Sequence, residues 1–259
     1  MPPPNQAPLR LPRGGVINHP DGILLPSGRL GGGFSSPSGE TEGGFPTVKY
    51  PMIIKIFDNP AAVSEQMLED EMLELPLWRV RKVRSFKFLI DRVLCTEAYL
   101  LLKRGLKEGY GIDCMPEFDY IAHEKPVLKH YPDIHFNLSH CKKGILCVID
   151  DKPVGCDIEE IEKKFDLNLC HVCYNAQEIK DLQKADDPCI AFTELWTKKE
   201  AALKLTGEGL TDDLPSLFTN GLKEQVKFET YVCKDKGYVY SICHYNSTPP
   251  HPSGSQPSF

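Results

Sequence analysis

No stretch of this 259-residue chain approaches the roughly 18 consecutive apolar residues that a membrane-spanning helix needs, and no apolar run follows the N-terminus as a signal peptide requires. A basic surplus is also missing: 30 Lys and Arg face 36 Asp and Glu, a net charge of −6. That balance argues against a nucleic-acid protein, in which a cationic excess supplies the attraction for phosphate. There is no phosphate-cradling G-x-x-x-x-G-K-[ST] loop. No second Cys or His pair follows Cys170, His171 and Cys173 at zinc-finger distance, so their C-x-x-C spacing does not predict a structural zinc. Ten cysteines are present, but nothing marks secretion. Cys147, Cys156 and Cys243 fall in apolar strand-like patterns, where a reduced thiol packs as a small hydrophobe. Together these absences lead us to expect a soluble cytoplasmic protein.

Residues 1–50 lack hydrophobic periodicity and are rich in Pro, Gly and Ser, with Gly31 to Gly33 in a row. Such a segment cannot bury enough apolar surface to offset its ordering entropy, and it is expected to be a disordered extension. The tail over 247–259 has the same character. The first strand pattern begins at Met52, which raises Met52 as the start of the folded protein and as a natural translation start. The remainder is long enough for one large domain or two of about 100 to 130 residues.

Two stretches concentrate charge where packing does not call for it. In the first, Asp187-Pro188 forms an N-cap with proline at the first helical position, and Gly207 supplies a left-handed stop, predicting a helix from Pro188 to Thr206. At helical spacing Phe192, Leu195, Trp196, Ala202 and Leu203 share one apolar arc, with Lys199 inside it, Glu200 at its edge and Lys204 beyond. One reading makes Lys199 a snorkelling side chain and Glu200 and Lys204 a solvated i, i+4 pair. The second stretch is Val154 to Glu160, in which Val154, Cys156 and Ile158 alternate with Gly155, Asp157 and Glu159. Asp157 and Glu159 therefore point the same way, about 7 Å apart along a strand. They form either an exposed acidic edge or a pair of hard oxygen ligands suited to Mg²⁺.

Elsewhere the pattern predicts a helix over Pro60 to Leu75 and a longer one over Leu77 to Lys107 that carries Arg79, Arg81, Lys82, Arg84, Lys87 and Arg92. That basic run is either a solvated helix face or a patch for an acidic partner. Short strands follow around Tyr120-Ile121, Ile134 to Leu138 and Gly144 to Ile149, with Ser139 and His140 in the turn after the second. A short helix over Asn175 to Lys184 precedes the Pro188 helix. The chain closes with a hairpin, Val226 to Cys233 and Tyr238 to His244, turning at Asp235-Lys236-Gly237.

VGCDIEE and LWTKKEAALK, about forty residues apart, resemble the two signature motifs of the 4′-phosphopantetheinyl transferases, a G-x-D-x-E strand and a W-x-x-K-E-x-x-x-K helix. Lys125-Pro126, the FNLSH segment at Phe136 to His140 and the GEGL segment at Gly207 to Leu210 strengthen the likeness, which is to the surfactin-synthetase-activating (Sfp) type and covers most of Met52 to Phe218. The resemblance implies an α+β fold made of a pseudo-twofold pair of similar α/β lobes, here an N-terminal lobe over 51–150 and a C-terminal lobe over 151–246. A faint echo of TEAYLLLKRGL by KEAALKLTGEGL agrees with that. It implies a monomer that transfers the 4′-phosphopantetheine arm of coenzyme A to a serine of an apo acyl or peptidyl carrier protein, with Mg²⁺, releasing 3′,5′-ADP.

On this likeness Asp157, Glu159 and Glu200 hold the metal, and Glu200 and Lys204 are catalytic, Glu200 as the candidate base. Arg92, Lys125, Ser139, His140, Lys199 and Lys204 bind the coenzyme, with Arg79 and Lys87 as further candidates. A carrier-binding module of the same fold without turnover, and another Mg²⁺-dependent nucleotide or pyrophosphate enzyme, are the alternatives.

Overall fold

A computed structural model describes residues 51–121, 125–161, 163–164, 167–207, 213–219 and 221–247. The expectations for the extension over 1–50, for 248–259 and for the last three residues of GEGL lie outside these residues. Helix and sheet are mixed throughout, and among the described residues no helix is long and apolar enough to cross a membrane.

The first sheet is antiparallel with order β1-β5-β4, where β1 is Ile53–Asp58, β4 is His135–His140 and β5 is Gly144–Asp150. A small two-stranded sheet pairs β2, Phe118–Tyr120, with β3, Pro126–Leu128. The second three-stranded sheet has order β6-β8-β7, from β6 at Val154–Glu160, β7 at Val226–Cys233 and β8 at Tyr238–Tyr245. The β7–β8 hairpin turns where expected, with Gly237 at φ 77°.

Each large sheet is covered by one long helix. Helix α3, Leu89–Tyr110, packs Leu94, Ala98, Leu101, Leu102 and Leu106 onto Ile145, Cys147 and Ile149 of β5. Helix α6, Pro188–Thr206, lies on β6 and β8 and is bounded by the signals read from the sequence: the Asp187 side chain accepts from the amides of Cys189 and Ile190, and Gly207 ends it at φ 76°. The two sheets share a core in which Leu146 and Val148 meet Val154, Cys156, Ile158, Tyr238 and Ile242. Apolar residues that alternate along β5 thus serve both α3 and the second sheet, which fastens the halves together.

Three expectations on the first half need correction. The helix read over Pro60 to Leu75 is a 3₁₀ turn at Pro60–Ala62 followed by α1, Glu65–Met72, because Val63 is extended and the Ser64 hydroxyl caps the amide of Met67. The single helix read over Leu77 to Lys107 is broken into α2, Leu77–Ser85, and α3, since Phe86 and Phe88 are both extended. The break lets α2 fold back and bury Arg79 and Val83. Ser139 and His140 belong to β4 rather than to the turn beyond it. Four described elements had no counterpart in the reading, namely β3, the helix α4 at Leu167–Cys173, a 3₁₀ turn at Leu214–Ser216 and the short helix α7 at Leu222–Gln225, while α5 at Ala176–Lys184 starts with a full capping box between Asn175 and Glu178.

Candidate active site

Gly155 explains how the two charged stretches come together. A Cβ built on it would stand 2.0 Å from the Ala201 carbonyl oxygen and 2.5 Å from the Leu205 amide nitrogen, distances no side chain tolerates. Glycine therefore lets the backbone of α6 rest directly on β6. Asp157 and Glu159 share that face of the strand, so they stand against the helix positions of Glu200 and Lys204 and are buried, as are both helix residues. This excludes both an exposed acidic edge and a solvated i, i+4 pair.

The Lys204 ammonium donates to Asp157 Oδ1 at 2.6 Å and to Ser139 Oγ at 3.0 Å, and Ser139 Oγ donates to the same Asp157 oxygen at 2.7 Å. The second carboxylate oxygen, Asp157 Oδ2, is buried and has no hydrogen-bond partner. Trp196 Nε1 donates to Glu159 Oε1 at 3.4 Å. Behind them Ser241, paired with Asp157 across β6 and β8, joins the hydroxyls of Thr197 and Thr230 at 2.8 and 2.9 Å.

The electrostatics follow from crowding anions in a dry place. Burial, and after it the charge of Asp157, lifts Glu159 well above the ordinary carboxylate range. Burial raises Glu200 to about 7, against the pull of Lys204. For Lys204 burial acts downward, but Asp157 and Glu200 outweigh it and leave the ammonium more firmly protonated than in water. His140, half-buried on β4 and close to Lys204, is pushed down to about 4 by desolvation and then by the Lys204 charge, and stays neutral at neutral pH.

The donor set fits Mg²⁺. Among the described residues no three His, Cys, Asp or Glu side chains converge as a preformed cage, but Mg²⁺ typically takes only one or two carboxylates and completes its shell with water and phosphate. An unpartnered carboxylate oxygen beside two carboxyls that burial makes reluctant to ionise is a donor set that such a cation would suit.

Other residues selected from the sequence are placed differently. Lys199 is the clearest correction: its Nζ is fully buried and donates to the carbonyls of Cys173 and Leu214 and to Glu178 at 2.8 to 2.9 Å, with the rings of Tyr174 and Phe218 about it. It neither snorkels nor faces the acidic strand. Arg79 is likewise committed to structure, donating to the Cys95 carbonyl at 2.8 Å between the rings of Trp78 and Tyr99. Lys87 is exposed beside Phe88. Arg92 pairs with Glu65 at 2.5 Å, and its neighbour Asp91 contributes to the field at His140. Lys125 donates to the carbonyls of Lys204 and Leu205 at 2.7 and 3.1 Å, so that a first-half cation caps the negative end of α6.

Sequence reasoning missed three contributors: Trp196 as the donor to Glu159, the Thr197–Ser241 hydroxyl pair, and Asn137. The first lay inside the helix motif, and Asn137 sits two residues before Ser139 on the same face of β4. Ser241 carried no signal, because its partners are set by strand pairing.

A strand and a helix that meet in this way bring carboxylates from one against a carboxylate and a lysine from the other, a donor set suited to a divalent cation and phosphate oxygens. The family model described as "4'-phosphopantetheinyl transferase superfamily" matches residues 153–248, the span that contains both stretches. The 4'-phosphopantetheinyl transferase psf-1 of Bacillus pumilus is 39% identical over 142 residues, covering 54% of this chain and 60% of that protein. A 4'-phosphopantetheinyl transferase of Bacillus subtilis is 32% identical over 171 residues, covering 64% of this chain and 74% of its own. The L-aminoadipate-semialdehyde dehydrogenase-phosphopantetheinyl transferase of Saccharomyces cerevisiae is 29% identical over 170 residues, 59% and 62% of the two chains. The chain belongs to the 4′-phosphopantetheinyl transferase superfamily and is of the Sfp type.

Proposed function

We propose that the chain transfers the 4′-phosphopantetheine arm of coenzyme A to a serine of an apo carrier protein. The observation that carries this reading is the buried cluster of Asp157, Glu159, Glu200, Lys204 and Ser139, in which Asp157 keeps one oxygen unpartnered. Asp157 and Glu159, with Glu200, would hold Mg²⁺, which when bound supplies positive charge to the pyrophosphate.

The carrier serine oxygen forms a bond to the β-phosphorus as the bond to 3′,5′-ADP breaks. The ADP leaves as an anion. Glu200 is the carboxyl we assign to accept the serine proton; in the metal-free protein burial raises it to about 7, and a bound cation would draw it back toward its ionised, proton-accepting form. Lys204, held by Asp157 and Ser139, keeps a fixed cation at the cluster and needs no reorganisation as charge develops. Ser139, His140, Arg92 and Lys125 are the side chains we assign to the coenzyme's phosphates. Ser139 and His140 are supported by their place beside Lys204.

We read the two halves, 51–150 and 151–246, as a pseudo-twofold pair of lobes. Each has a three-stranded antiparallel sheet under one long helix that ends in a left-handed glycine, Gly111 or Gly207. The chain is taken to act as a monomer. Incubation with coenzyme A, Mg²⁺ and an apo carrier domain, followed by weighing the carrier, tests the function. A carrier that gains the phosphopantetheine mass only when all components are present supports it, and a carrier of unchanged mass overturns it.

A further inference from the structure

The edges of the two large sheets abut at β4 and β6, yet the strands form no ladder. An edge strand presents backbone donors and acceptors that need partners when buried. At this seam the amide of Cys156, between Gly155 and Asp157, donates to the side-chain carbonyl of Asn137 at 3.0 Å. Asn137 is buried, as are Cys156 and Asp157. Two residues along the same face of β4, Ser139 reaches the Asp157 carboxylate. Asn137 thus binds the backbone next to Asp157 while Ser139 binds its side chain. Without the first contact, the second has only a pair of flexible side chains to fix its length.

We propose that Asn137 is a positioning residue: its side-chain carbonyl, by accepting the Cys156 amide, sets the offset between β4 and β6 that brings Ser139 and Lys204 to one oxygen of Asp157 and leaves the other free. It touches neither substrate nor metal and acts through Asp157. A backbone amide is bound by one rigid, short side chain, so a shift along the seam would carry Gly155, Asp157 and Glu159 together past α6. Because Gly155 already has α6 backbone atoms at contact distance, that movement has nowhere to go without displacing the helix that carries Glu200 and Lys204. The assignment rests on the transfer reading for its kinetic consequence, while the hydrogen bond itself can be followed without any activity.

The test compares Asn137→Leu, which keeps bulk but removes the acceptor, with Asn137→Asp, which keeps an oxygen in place. Amide hydrogen exchange at Cys156 reports the bond directly. Exchange should speed up in the leucine variant and stay close to the parent in the aspartate variant. In the same proteins, the Mg²⁺ concentration for half-maximal transfer should rise and kcat should fall in the leucine variant, each by about 10- to 100-fold, as expected when a partner behind a ligand is lost, with KM for the carrier unchanged. The aspartate variant should recover most of both.

Faster exchange in Asn137→Leu with parental kcat and parental Mg²⁺ dependence would reduce the contact to ordinary packing and overturn the proposal. So would unchanged exchange. If the leucine variant does not fold, Asn137→Asp decides alone: protected Cys156 with parental Mg²⁺ dependence supports positioning, and a protected amide with transfer lost contradicts it. A parent protein that never loads a carrier would instead sink the functional reading, and the exchange comparison would still report on the seam.

Discussion

Lys199 and Lys204 lie five residues apart on α6, both buried, and they meet opposite surroundings. The ammonium of Lys199 has three donors and three acceptors, the carbonyls of Cys173 and Leu214 and the carboxylate of Glu178. Nothing in that shell is left over. Lys204 instead enters a cluster with a surplus of negative groups, where it shares Asp157 Oδ1 with Ser139 while Oδ2 stays without a partner. A saturated buried cation holds the fold together, and an unsaturated cluster retains the capacity to bind something more. Both lysines are buried, so the valence of the surroundings is what separates scaffold from site.

The largest effect is expected from removing the acid that Lys204 depends on. Asp157→Ala should abolish carrier loading and also lower unfolding stability by about 3–5 kcal/mol, because a buried ammonium loses its counter-charge. Denaturant unfolding with a carrier mass measurement reads both. Stability like the parent's would mean that Lys204 can reach water, and the two lysines would differ less than described.

Lys199→Met should act on stability alone. Each buried acceptor left without its donor costs about 1–3 kcal/mol, so the variant should melt at lower temperature while its folded fraction loads carriers with the parental KM for coenzyme A. A lower rate with unchanged melting would place Lys199 in the site and erase the contrast.

The smallest effect concerns Glu97 on α3, whose fully buried carboxyl faces the carboxyl of Glu71 and has Arg104 Nη1 at 3.6 Å, with Glu74 adding negative charge nearby. Burial raises it from 4.5 to about 8. Since the folded protein holds this proton more tightly than the unfolded chain, the contribution of Glu97 to stability is fully present below 4.5 and is lost as pH climbs through about 8. Glu97→Gln, which mimics the protonated form, should flatten that decline and raise the melting temperature at pH 8 more than at pH 5. An equal pH slope in parent and variant would show that Glu97 is ionised and paired in the folded state.

Much of this contrast could be read before folding, and the unreadable part has a physical reason. The ends of α6 were legible because Asp187, Pro188 and Gly207 act within one turn of themselves, and β6 was legible because its alternation is local. The burial of Asp157 was not legible, since it depends on Gly155 admitting a helix to the polar face of the strand. Lys199 was misplaced for the same reason: its acceptors Cys173 and Leu214 are 26 and 15 residues away and are brought close by tertiary packing. The break between α2 and α3 escaped notice because helix-forming residues continue through Ser85, and what ends α2 is the burial of Val83 and Arg79 against neighbouring elements.

The central claim is that the unsaturated cluster performs the transfer, and Glu200→Gln tests it most directly. The substitution keeps shape, breaks no ion pair, and removes a carboxyl that burial has raised to about 7. Its single-turnover rate of carrier loading from coenzyme A with saturating Mg²⁺ should fall at least about 100-fold, the usual scale for a lost general base, while the protein melts like the parent. Loading at the parental rate by a well-folded Glu200→Gln protein would contradict the account.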